Sequence, residues 1–183
     1  MSADRRPPHL GPIDHAHLAG VMAVQALAYG DALLESPEVL GSKLRMPGGT
    51  CWGAFAGAAG SLAGGAASGG ALGTTSADTS VLCAYAIAHT VPDGAPLALN
   101  QAATPAAPQP GDWLYVHDIA VDPAWAGHGL AARLLAEVLD AGRRLSLARA
   151  MLVAVQGADV YWARHGFVAQ AAPMAVMGFG EGA

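Results

Sequence analysis

Between Trp113 and Gly142 the chain runs from a β-prone stretch, WLYVHDIAV, through the glycine-punctuated turn DPAWAGHG into a helix with one apolar stripe. This succession constrains the fold more than any other part of the sequence. Leu130, Leu134, Leu135, Val138 and Leu139 recur at helical spacing, so the helix lays one face on a core. A strand feeding such a helix through a tight turn belongs to an α/β arrangement. Gly127 and Gly129 let backbone amides approach a ligand, and the helix dipole favours an anion there. Such a turn can serve as a generic anion cradle or can simply require tight geometry. A P-loop would need Gly-Lys-Ser/Thr, and His128-Gly129-Leu130 does not supply it. In a dinucleotide fold Ala132 could serve as the third small residue. The following strand ends in Val155-Gln156, however, and lacks the acid that would hold the ribose.

The remaining elements fit around this unit. Asp14 is placed to cap a first helix carrying Leu18, Val21, Met22 and Ala26, with Gly30 ending it. Ser36-Pro37-Glu38 has the cap, the first-turn proline and the early acid of a second helix, which stops near Pro47-Gly48-Gly49. TCWGAF and VLCAYAIAHTV read as strands. The Gly/Ala/Ser-rich residues 57–80 between them are expected to form a hairpin insertion, and Pro92–Gly111 a second loop. AMLVAV is expected as a strand leading into a short helix that ends at Gly166, and FVAQAAPMAVMGF as one or two closing strands. The fold class is thus α/β: one domain over 1–183, a mixed sheet with helices on both faces.

Composition narrows the function. With 9 Lys and Arg against 14 Asp and Glu, a net charge of −5 and Lys43 as the only lysine, the chain lacks the basic patch that nucleic acid or an anionic membrane requires. Any phosphate must be held by backbone amides and a few arginines. Cys51 and Cys83 sit in apolar, strand-like stretches without metal-ligand spacing, so buried free thiols and no metal site are expected. The first residues lack the apolar core of a signal peptide, and no apolar run reaches the ~20 residues of a membrane span. A cytoplasmic protein is the resulting expectation.

VDPAWAGHGLAARLL resembles the acetyl-CoA motif of the GNAT superfamily of N-acetyltransferases, Arg/Gln-x-x-Gly-x-Gly/Ala following a strand that ends in Val-x-Pro. Ala126, Gly127, His128, Gly129, Leu130 and Ala131 occupy its six positions. Some 35 residues on, ADVYWARHGF resembles the closing signature of that family, an aromatic residue four before Gly-Phe. The resemblance implies the GNAT fold, a central twisted mixed sheet flanked by helices, with acetyl-CoA as cosubstrate and transfer to an amine within a ternary complex. It implies that the backbone of Ile119, Ala120 and Val121 holds the pantetheine arm. The amides from Gly127 to Ala132 would hold the pyrophosphate. Arg133 could reach a CoA phosphate or pair with Glu137, and Gln156 stands where relatives often have a cofactor-contacting Asn. His128 could touch phosphate or face solvent. Relatives often dimerise, which makes a homodimer an implied possibility. Two departures stand out: Ala126 replaces the usual Arg or Gln, and Trp162 stands where many members carry a Tyr that protonates the departing thiolate, with Tyr161 as its neighbour.

Transfer of an acetyl group to an amine needs a neutral nucleophile, and a lysine-like amine with a pKa near 10.4 is neutral in only about one part in 10³ at pH 7, which corresponds to roughly 4 kcal/mol. A thiol with a pKa near 8.5 departs more easily. A base is therefore worth more than an acid. Tyr115 and His117 resemble the titratable pair of arylalkylamine N-acetyltransferases, and His117 is the first choice for base. In a regular strand Tyr115, His117 and Ile119 share one face, and Asp118 takes the other unless a bulge redirects it.

The acceptor is expected to be a primary amine of a small molecule or peptide, with Tyr29, Glu35, Tyr85 and Trp113 as possible pocket residues. His15 and His17, two apart on a helix, do not share a face for a metal, and His165 suits a helix C-terminus. The alternative, motivated by Ala126 and Trp162, is a non-catalytic acyl-CoA-binding or interaction domain of the same fold.

Overall fold

A computed structural model describes residues 7–57, 80–92, 95–155 and 157–170. Five strands, β1 (His9–Pro12), β2 (Trp52–Ala56), β3 (Val81–Val91), β4 (Trp113–Val121) and β5 (Ala150–Leu152), form one sheet in sequence order. All neighbours are antiparallel except β4 and β5, which are parallel and joined through a helix. The helices are α1 (Leu18–Ala28), α2 (Pro37–Leu44), α3 (Leu130–Arg144) and α4 (Asp159–Arg164).

Local chemistry accounts for most element ends. Asp14 Oδ1 accepts from the amide of Ala16 at 2.9 Å and opens a short 3₁₀ turn that runs into α1. Ser36 Oγ accepts from Val39 N at 3.3 Å, with Pro37 in the first turn of α2, as the sequence predicts. The apolar stripe of α3 is buried as expected: Leu130, Leu134, Leu135 and Val138 contribute about 1.5–3 kcal/mol each. They pack on Ala84, Ala86, Ala88, Leu114 and Val116 on one face of the sheet. Gly142 lets α3 approach β4, since a Cβ there would stand 2.8 Å from Leu114 Cδ2. The opposite face carries Tyr85, Ile87 and Ala120 against Val21, Val24, Leu40 and Leu44 of α1 and α2. Cys51 and Cys83 are buried free thiols whose pKa burial pushes up to about 11.

Some expectations need correction. β1 is an element that HLGP, with its glycine and proline, does not advertise; only pairing with β2 makes it a strand. The strand expected over AMLVAV pairs only at Ala150–Leu152. Residues 167–170, the start of the expected closing strands, carry no strand, and 171–183 lie outside the described residues. So do 58–79, nearly all of the expected insertion, and Gln156. The Pro92–Gly111 stretch has no strand or helix of its own beyond Pro92 among its described residues; Ala103 N donates to Ser42 Oγ at 2.8 Å and fastens it to α2. Among the described residues no helix is long and apolar enough to cross a membrane.

Candidate active site

The register of β4 against β3 slips once, between the pairs Ile87–Asp118 and Ala88–Val116, leaving His117 as an extra residue. This bulge overturns the alternation expected for a regular strand. Leu114 and Val116 face α3 before it and Ile119 and Val121 after it, while Tyr115, His117, Asp118 and Ala120 all look toward α1 and α2. His117 and Asp118, expected on opposite faces, therefore share one.

The same place is where the sheet opens. Pairing between β4 and β5 covers only Leu114–Val116 with Ala150–Leu152, and the two chains then diverge. The wedge between them is a cleft of about 300 Å³. Val116 to Ile119 form one wall, Leu152, Val153 and Val155 the other, and Tyr161 and Trp162 of α4 close one side. Tyr29, Leu33, Glu35 and Leu99 rim the α1 side. Alternate backbone groups of β4 past Val116 point toward the strand that has left, so amides and carbonyls are offered to whatever fills the wedge.

At the end of β4, Asp122 Oδ1 accepts from Ala124 N at 2.8 Å and starts the turn to α3. Gly127 and Gly129 have φ of +77° and +69°, the left-handed region, and a Cβ at either would meet no protein atom within 4 Å. Backbone conformation, not crowding, requires glycine there. Among the described residues no side chain caps α3, so the first-turn amides of Leu130, Ala131 and Ala132 have no capping partner. Ala131 lines the cleft, which joins the turn to the wedge. The cradle thus has the donors an anion needs.

Two polar systems lie under the bulge. In the first, Tyr29 Oη donates to Asp118 Oδ1 at 2.6 Å, and Tyr85 Oη donates to Asp118 Oδ2. Burial pushes the Asp118 carboxyl up, opposed by these bonds, and both tyrosines are pushed up by burial and by the carboxylate beside them. In the second, Lys43 Nζ lies 2.6 and 2.7 Å from Glu35 Oε1 and Oε2, and His117 Nε2 lies 2.7 Å from Nζ and 2.8 Å from Oε2. The Lys43 side chain is 0% exposed, that of Glu35 3% and that of His117 2%. Burial alone would raise the Glu35 carboxyl, but His117 and Lys43 outweigh it and hold it at about 2, while burial lowers Lys43. The amide of Asn100 also donates to Glu35 Oε1 at 2.8 Å. Gln25 holds the main chain of Glu35 from both sides, Nε2 donating to its carbonyl and Oε1 accepting from its amide, each at 3.1 Å.

Of the sequence-predicted catalytic residues, His117 and Tyr161 line the cleft and Tyr115 does not. Tyr115 is buried beneath His117, ring centroids 5.5 Å apart, with a hydroxyl that has no partner among the described residues. Arg133 neither pairs with Glu137 nor stands free for phosphate: its Nη2 donates to the carbonyl of Pro8 at 3.2 Å. His128 turns back, Nδ1 donating to the carbonyls of Trp125 and Ala126. Among the possible acceptor-pocket residues, Tyr29 and Glu35 line the cleft; Tyr85 is buried on Asp118, and Trp113 stacks under Arg149.

Lys43 was missed, and its signal lay in its spacing. It falls three residues after Leu40 and one before Leu44, on the buried side of α2, where a lysine needs a partner. His89 was also missed; it is buried on the same face, 5.4 Å from the Tyr115 ring, with Nε2 unpartnered among the described residues, and burial lowers its pKa to about 4. No group of His, Cys, Asp and Glu that could hold a metal occurs among the described residues.

A mixed sheet that splays beside a strand–glycine-turn–helix is the frame of an acyl-CoA transferase fold. The chain belongs to the acetyltransferase (GNAT) family, whose sequence model matches residues 33–167, well over half its length. Comparison with curated protein sequences finds no match. Solved structures share the fold at low identity. The NatC complex bound to Gag peptide and CoA contains a chain 13% identical with a TM-score of 0.58, the match covering 88% of this chain and 83% of that one. The ribosomal-protein-S18-alanine N-acetyltransferase of Escherichia coli is 16% identical with a TM-score of 0.53, over 87% and 74%. The aminoglycoside N-acetyltransferase AAC(6')-Iy in complex with CoA is 12% identical with a TM-score of 0.52, over 88% and 87%.

Proposed function

We propose that the chain is an acetyl-CoA-dependent N-acetyltransferase that acts on the primary amine of a small molecule or peptide by direct attack in a ternary complex. The observation that carries this reading is the bulge at His117, which sets an imidazole in a cleft beside an open strand edge; Ala131, in the first turn of α3, lines the same cleft. Family membership and fold neighbours solved with CoA support the cosubstrate.

The residues fit the chemistry required. The amides from Gly127 to Ala132 would hold the pyrophosphate, and the free edge of β4 past Val116 would hold the pantetheine arm and donate to the oxyanion. The amine nitrogen attacks the thioester carbonyl, the C–S bond breaks, and the amine proton leaves to His117, directly or through a water. Tyr161 lines the cleft and would return a proton to the thiolate. Partial burial raises its pKa, so it is protonated at neutral pH.

Thiol release with a panel of amines tests the reading. The wild type is expected to turn over at least one class of amine, and His117→Ala to lose about 10²–10⁴ in kcat/KM with partial recovery at high pH. Gly129→Glu, which fills the cradle with bulk and like charge, should abolish acetyl-CoA binding in a folded protein. Binding of acetyl-CoA without turnover on any amine would favour a non-catalytic acyl-CoA-binding module instead.

A further inference from the structure

Lys43 Nζ, Glu35 Oε2 and His117 Nε2 form a triangle with sides of 2.7, 2.7 and 2.8 Å. Three hydrogen bonds cannot be drawn on it at once. If Nε2 carries a proton it donates to Glu35 but confronts the Lys43 ammonium; if Nε2 is bare it accepts from Lys43 but confronts the Glu35 carboxylate. Each charge thus favours a different state of the imidazole. Their distances to the ring nitrogen are nearly equal, so their effects on it oppose one another at close range.

Stability does not explain this arrangement. A buried ion pair is usually matched or surpassed by apolar residues of the same size, whereas the loss of one partner alone is costly. The chain's single lysine is nevertheless committed here, fully buried, to a carboxylate and to the ring read as the base. The other groups facing His117 are Tyr115 and Asp118 from β4 and His89 from β3; Tyr85 of β3 and Tyr29, just past the end of α1, reach only as far as Asp118. Asp118 has two tyrosine partners of its own. Tyr115 Oη, His89 Nε2 and His117 Nδ1 have none among the described residues. Lys43 and Glu35 are therefore the two full charges bonded directly to the ring.

We propose that Lys43 and Glu35 are positioning residues for His117: a charge-balanced pair closed on one imidazole nitrogen, which sets how readily the ring takes up a proton. The proposal rests on the reading of His117 as the base, and with it the unpartnered Nδ1 is the nitrogen left to accept. Without Lys43, the carboxylate alone faces the ring and favours the protonated imidazole, which cannot act as a base. Without the Glu35 charge, the ammonium alone favours the neutral ring.

The test is a pH titration of the His117 ring by NMR in the whole protein, its resonance assigned with His117→Gln. Lys43→Met should move the midpoint up by about 1–3 pH units and Glu35→Gln should move it down by about as much. The double variant, with both charges of the pair removed, should return close to the wild type. It also keeps the test open where Lys43→Met alone fails to fold, because it strands neither member of the pair without its partner. A midpoint that stays fixed, moves the same way in both single variants, or is absent in every variant overturns the proposal. A merely structural role would not give shifts of opposite sign. The acid limb of kcat/KM should follow the NMR midpoints. Opposite NMR shifts beneath an unmoved acid limb would leave the tuning intact and remove His117 from the base role.

Discussion

Against α3 the sheet buries Ala84, Ala86, Ala88, Leu114 and Val116 beneath four aliphatic side chains. Against α1 and α2 it buries, beside Val21, Val24 and Leu40, the polar groups of Glu35, Lys43, His89, Tyr115, His117 and Asp118. The first face follows the rule that apolar area removed from water stabilises, and it asks nothing more of its residues than size and shape. The second carries polar groups that must satisfy each other. On the proposed reading the first face serves stability alone, while the second also carries the chemistry.

The largest expected effect that would break this division is on the α3 face. Leu134→Ala should cost about 2–5 kcal/mol, read as a lower urea midpoint, while kcat/KM per folded molecule stays unchanged. A variant of full stability, or one folded but inactive, would show that the two faces are not separable in this way.

Next in size is the pH dependence of stability, which should come from the polar face. His89 is held neutral with a pKa of about 4 against an ordinary 6.5. Between those values the unfolded chain binds a proton that the fold does not. Its contribution is therefore complete above pH 6.5 and lost as pH falls toward 4, on the order of 3 kcal/mol. Glu35, at about 2 against 4.5, adds stability that is complete above pH 4.5 and lost toward 2. Urea unfolding of the wild type should show a midpoint falling through both windows, and His89→Leu should flatten only the upper one. An unchanged slope in that variant would assign the upper window to other groups.

The smallest effect concerns the joint between cradle and N-terminus. Arg133→Ala removes one partly buried bond to Pro8 and should cost about 0.5–1.5 kcal/mol. Acetyl-CoA affinity should change less than about twofold, because the side chain is already engaged elsewhere. A loss of about tenfold, equivalent to 1.4 kcal/mol, would mean that Arg133 leaves Pro8 for a phosphate.

The apolar face was legible in the sequence because its signal is local. The stripe of α3, the Ser36-Pro37 start of α2 and the runs of β3 and β4 each announce themselves within a dozen residues. The cradle was legible for the same reason, since glycine at 127 and 129 already implies unusual backbone. The polar face was less so. The bulge at His117 exists only in the register between β4 and β3, strands whose paired residues lie about 30 positions apart, and no local pattern encodes it. Glu35 and Lys43 reach His117 across 82 and 74 residues. Their meeting is a property of the sheet and helices together, so the sequence offers a buried lysine position but not its partner.

The amide of Gln25 has a consequence for how such a protein can change. By gripping both the carbonyl and the amide of Glu35, it acts as an extra rung of backbone pairing made from a side chain. Tyr29, fixed by Asp118, anchors the other end of the same short segment. The residues between, Gly30 to Leu34, hang from two fixed posts, and Leu33 among them faces the cleft. A lineage could therefore exchange these five residues, and with them the shape offered to an acceptor, while the carboxylate beside the imidazole stays where it is. On the proposed function, the choice of amine and the handling of its proton could then vary separately.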